Sequence, residues 1–161
     1  MSPKTTTTAS FINPEELLSH WQGHRRLTRR IIEAFPEDKL FNYSIGGMRP
    51  FGAMALEMLA MAEPTVRGVL TNKWDQFSPG STKSKQEILE MWDSSTVEID
   101  ALWPQIPAER FHETMTAFGQ YTGVVYELVL YVIDNEIHHR GQGYVYLRSL
   151  GITPQPFYER A

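Results

Sequence analysis

Apolar residues along this chain recur in steps of three and four, the spacing that lines one face of an α-helix, and four such stretches stand out. In the first, Asn13 suits an N-cap, Pro14 suits the first helical position, and Glu15 and Glu16 meet the positive end of the helix dipole. The stripe Leu17, Leu18, Trp21, Leu27, Ile31 and Ile32 predicts a helix running to Ala34, with Pro36 just past its end. In the second, Pro50 opens a helix whose residues Phe51 to Ala62 are too apolar for a surface element and include one ionisable group, Glu57. Pro64 is expected to kink this helix or end its first part, with Val66 to Trp74 continuing it.

The third stretch opens on Ser84 with Glu87 three residues later, the pattern of a capping box. Ile88, Met91, Trp92, Ser95, Ile99, Leu102 and Trp103 keep helical spacing until Pro104. The fourth has no proline from Gly123 to Leu150, and Gly151 and Pro154 then supply a stop. Its stripe passes through Leu128, Val132, Asn135, His139, Gln142 or Gly143, Tyr146 and Leu150, so apolar residues at both ends place Asn135 and His139 toward the core. They belong to the polar run Asp134-Asn135-Glu136-Ile137-His138-His139-Arg140-Gly141-Gln142.

Between these stretches, residues 42–49 with Gly46-Gly47 read as a loop, 75–83 with Pro79-Gly80 as a crossover, and 104–122 as a connection closing over one end. With no strand-like alternation and no repeat, the expected fold is all-α, a four-helix bundle with one long crossover connection. A flexible N-terminal tail is expected over residues 1–10 and a single bundle domain over 11–161.

Composition narrows the functional classes. There is no cysteine, which fits a reducing, cytoplasmic location and removes disulfides, thiolate ligands and a cysteine nucleophile. No stretch is apolar for long enough to span a membrane. A formal net charge of −4 argues against nucleic acid as a partner, and the cluster Arg25, Arg26, Arg29 and Arg30 spreads over more than one helical face.

The candidate chemistry centres on Asn135 and His139, four apart on one helix face, with Glu57 approaching from the second helix. An imidazole and a carboxylate suit zinc, nickel, iron or manganese, while an amide oxygen is a weak third ligand for the softer of these. Glu57 needs a compensating partner: a metal ion, His139 as imidazolium, or Arg140. The plainer reading is that Asn135 and His139 merely satisfy each other or a backbone carbonyl inside a core. Gly141 and Gly143 each weaken a helix by about 1 kcal/mol relative to Ala, and close packing is the expected reason.

These residues resemble a known family, the DinB-like (YfiT-like) metalloenzymes, which share only a name with the lesion-bypass polymerase. Members typically end in a helix reading His-Glu-x-His-His-Arg-Gly-Gln, and Asn135-Glu136-Ile137-His138-His139-Arg140-Gly141-Gln142 aligns with it without gaps. Tyr144 to Pro154 and the segment Arg49-Pro50-Phe51-Gly52 resemble the family as well. The family's usual site is three histidines, one on the second helix and two spaced by four on the last, holding a divalent metal. By resemblance those positions fall on Glu57, Asn135 and His139, so two of the three depart from the pattern. The resemblance implies a metal-dependent transferase of low-molecular-weight thiols, or a hydrolase, acting on a small molecule, with catalytic residues unassigned. It also implies a homodimer. The alternative is a catalytically inactive stress-response or binding protein on the same scaffold with a degenerate metal site.

Overall fold

Both capping boxes written in the sequence close. Asn13 Oδ1 accepts from the Glu16 backbone N–H at 2.8 Å and the Glu16 carboxylate accepts from that of Asn13 at 2.8 Å. This satisfies two otherwise unpaired groups and starts α1 (Pro14–Ala34) at the expected residue. Ser84 and Glu87 do the same for α3 (Lys85–Leu102). In this computed structural model, residues 11–75 and 84–161 are described. The expected tail over 1–10 and most of the expected crossover lie outside them.

The second helix does not end at Pro64. α2 (Phe51–Thr71) runs through it and stops at Asn72, whose left-handed backbone (φ 57°) turns the chain out. Trp74 therefore falls beyond the helix rather than within it. α4 (Val125–Ser149) begins two residues later than Gly123.

Where only loop is expected between Pro104 and Thr122, the chain forms two short 3-10 turns and a β-hairpin. β1 (Thr114–Ala117) pairs antiparallel with β2 (Tyr121–Val124), Thr114 opposite Val124 and Ala117 opposite Tyr121. Phe118 and Gly119 make the reversal with positive φ (53° and 68°). Thr114, Met115, Thr116 and Ala117 do alternate between exposed and buried, but over four residues only. The protein remains an all-α four-helix bundle with this hairpin as an appendage.

Each of α1 and α2 packs against both α3 and α4, so these two consecutive helices sit diagonally across the bundle. Two apolar clusters fill it. One holds Ile31, Phe35, Phe51, Met54, Trp92 and Tyr146; the other holds Trp21, Val66, Trp103, Val125 and Val129. Between them, in the helix positions that separate the clusters along α1 and α4, the buried polar residues are Gln22, His24, Arg25, Thr28, Glu136, His139 and Arg140. A polar layer thus crosses the middle of an apolar core, and every group in it needs a partner.

Candidate functional site

The fourth helix meets α1 on one side and α2 on the other, so two adjoining rows of its side chains are covered. Residues one apart diverge by about 100° on a helix, which sends Asn135 and His139 toward α2 and Glu136 and Arg140 toward α1.

On the α1 side, Glu136 is 2% exposed. Its carboxylate accepts from Trp21 Nε1 at 3.1 Å and Thr28 Oγ1 at 2.6 Å, with Arg140 Nη1 4.0 Å away. Arg140 donates to the His24 carbonyl, Thr28 Oγ1 and His24 Nδ1 at 3.2, 3.1 and 2.9 Å. This network pins the rotation of α4 against α1.

That rotation presents the other row to Glu57. Glu57 Oε1 accepts from His139 Nε2 at 3.0 Å and Asn135 Nδ2 at 3.1 Å. The three residues expected to share a site do meet. The cation at Glu57 is Arg49, not Arg140: Arg49 Nη1 donates to Glu57 Oε2 at 2.5 Å. Arg49 lies just ahead of α2, and its carbonyl is held by the hydroxyl of buried Tyr146 at 2.9 Å. On the far side of His139, Nδ1 lies 2.8 Å from Gln142 Oε1, and Gln142 Nε2 points at Met48 Sδ. His138 is exposed, and its ring lies 5.1 Å from that of His139.

Burial pushes the Glu57 carboxyl up, but hydrogen bonds from Arg49, Asn135 and His139, with the charge of Arg49, outweigh it and hold the group at about 2. It is therefore a carboxylate under all ordinary conditions. Asn135 Oδ1 is buried and has no hydrogen-bond partner.

As a metal site the set fits poorly. Both Glu57 oxygens already accept from fixed donors, and a His139 nitrogen would have to give up its contact to Glu57 to bind an ion. Among the described residues no three His, Asp, Glu or Cys side chains converge. One carboxylate, one imidazole and one amide fall short of the set a structural or catalytic divalent ion ordinarily takes.

Beside Glu57 opens a cavity of about 310 Å³, walled by Phe118, Tyr121, Leu128, Tyr131 and Val132, with Glu57 as its carboxylate. Phe118 and Tyr121 come from the hairpin, so the element not foreseen in the sequence forms one wall of the cavity.

The two helix-weakening glycines have different explanations. A Cβ on Gly143 would stand 2.5 Å from the Phe51 ring, which is fully buried and stacked on Phe35 at 4.6 Å. Gly141 has nothing within 4 Å, so close packing does not account for it within the chain. Gly143→Ala is expected to lower stability by about 1–3 kcal/mol through overpacking, and Gly141→Ala to raise it by up to about 1 kcal/mol. Urea unfolding of the two variants checks both signs.

A four-helix bundle with a polar centre between its second and last helices defines the class of protein. The DinB family model matches residues 1–161, and the chain belongs to the DinB family. It is 27% identical over 160 residues to the uncharacterized protein YjoA of Bacillus subtilis, covering 90% of this chain and 96% of that one. The crystal structure of YjoA superposes with a TM-score of 0.73 at 19% identity, covering 90% of this chain and 99% of that one. That of a DinB-like protein from Bacillus cereus gives 0.75 at 18%, covering 92% and 100%. No helix among the described residues is long and apolar enough to cross a membrane.

Proposed function

We propose that this chain is a small-molecule-binding member of the DinB family whose site is built around a carboxylate neutralised by arginine rather than by a metal ion. The observation that carries this reading is the Arg49–Glu57 pair. The guanidinium supplies positive charge at one oxygen of this half-buried carboxylate, and Asn135 and His139 fill the other oxygen. The carboxylate is thereby fixed in place and available to a ligand only at its cavity edge. A cavity of this volume, walled largely by aromatic and aliphatic side chains, takes a small molecule with an apolar body and few polar groups.

A second reading, a metal-dependent thiol transferase or hydrolase, draws support from Asn135 Oδ1, a buried acceptor that lacks a donor or cation. In it Glu57, Asn135 and His139 would hold the ion, which would supply Lewis-acid activation.

Arg49→Ala separates the two. On the first reading the unaltered protein takes up no zinc or manganese, and removing the competing guanidinium creates or raises affinity by about tenfold or more. Affinity present in the unaltered protein and unchanged in Arg49→Ala would refute it. Calorimetric titration of both proteins gives the answer.

A further inference from the structure

The four arginines of α1 have separate fates. Arg25 is buried with its guanidinium 4.4 Å from the centre of the Trp92 ring, and Arg29 grips Asp93 through two hydrogen bonds of 2.6 and 2.9 Å. Arg26 and Arg30 turn instead to the segment after α4. Arg26 Nε donates to the Arg160 carbonyl at 3.0 Å, and Arg30 donates to the carbonyls of Glu159 and Ala161 at 2.5 and 2.7 Å.

Between this segment and α1 runs a cleft of about 620 Å³ with His20, Arg26, Arg30 and Arg160 on its walls. A Cβ on Gly23 would stand 3.4 Å from that of Arg160, so the bare helix surface there lets the segment seat closely. Glu159 is the one carboxylate side chain on these walls, and it already accepts from Gln155.

Beside the cleft, two guanidinium groups face one imidazole. His24 Nδ1 faces Arg140 Nη2 at 2.9 Å, and because Arg140 is buried while Arg160 can turn to solvent, the single lone pair of a neutral imidazole goes to Arg140. His24 Nε2 then carries the proton and faces His20 Nε2 at 3.2 Å. Arg160 Nη1 nevertheless lies 3.0 Å from that same Nε2, an N–H against an N–H. A guanidinium cannot accept, so Arg160 has no acceptor in His24. Burial, then the charges of Arg140, Arg160 and His20, push His24 down to about 4, which leaves it neutral.

The geometry points to a phosphate site in this cleft, in which the phosphate group of a small molecule lies between Arg160, His20 and Arg26 and supplies the acceptor that His24 does not offer Arg160. Guanidinium forks suit the several oxygens of a phosphate better than the two of a carboxylate, and the volume leaves room for the molecule that carries it. The site is separate from Glu57, which meets the adjoining row of α4 on the α2 side.

The test is calorimetric titration of the full chain near neutral pH with inorganic phosphate, and with acetate at matched ionic strength. Saturable binding of phosphate but not acetate is expected, weakened about tenfold in Arg160→Ala and in His20→Gln. His20 is exposed, so its variant folds independently of what Arg160 contributes to seating the segment. Phosphate that binds no better than acetate, or equally well to both variants, overturns the proposal.

Discussion

Glu136→Ala is expected to lower the free energy of unfolding by about 3–5 kcal/mol, the cost of removing one partner of a buried charged network. The loss exceeds the value of the hydrogen bonds themselves because of what remains behind. Trp21 Nε1 loses its acceptor, Thr28 Oγ1 keeps only the His24 carbonyl, and Arg140, 4% exposed, is left as a buried cation without its carboxylate. Glu136→Gln keeps an acceptor oxygen for Trp21 or Thr28 but not the charge, so its loss should be smaller. The network also sets the rotation of α4, and Glu136→Ala should therefore disturb Asn135 and His139 across the helix. Urea unfolding followed by tryptophan fluorescence measures the first effect. A loss under 1 kcal/mol would mean that the polar layer relaxes or admits water freely, and that it does not pin α4.

Stability should fall as the solution is acidified from about pH 6.5 toward pH 4, before most carboxylates titrate. His24 has its ordinary value of 6.5 in the unfolded chain and about 4 in the folded one. Between those values the unfolded state takes up a proton that the folded state refuses, so unfolding gains. The contribution is fully present above the unfolded value and lost as pH falls through the folded one. A shift of this size corresponds to about 3 kcal/mol at most. The groups facing His24 are Arg140, Arg160 and His20, all cationic or able to become so, and they act in the same direction as burial. His24→Gln keeps an acceptor for Arg140 and cannot titrate, so the pH slope in this window should flatten in that variant. An unchanged slope would assign it elsewhere. Glu57 acts in a lower window: its stabilisation is present above about 4.5 and lost as pH falls toward about 2.

Helix starts were legible because capping is local chemistry. Asn13 with Glu16 and Ser84 with Glu87 each need only three residues of sequence to close, and both closed. The hairpin was not legible, since four-residue strands give too short a period to separate from loop. Pro64 left open a kink or an end to the first part of α2, and the helix continues through it to Thr71: α2 is buried against neighbours on several sides, and packing outweighs one missing hydrogen bond.

For the candidate site, helical spacing together with the family resemblance was enough to bring Glu57, Asn135 and His139 together. It could not supply Arg49, which lies outside the helix, eight residues from Glu57, and is brought there by how Tyr146 holds the loop. Nor did it separate the two buried rows of α4. Glu136 and Arg140 belong to the same polar run, but which row faces α1 depends on how the helices are arranged around the bundle.

The proposed site rests on a Glu57 carboxylate paired with Arg49 in place of an ion. Calorimetric titration of the chelator-treated, unaltered protein with zinc, nickel, iron(II) and manganese tests it most directly. No saturable binding of any of them is expected at micromolar concentration. One ion bound per chain with micromolar or tighter affinity, and lost in both Glu57→Ala and His139→Ala, would contradict it.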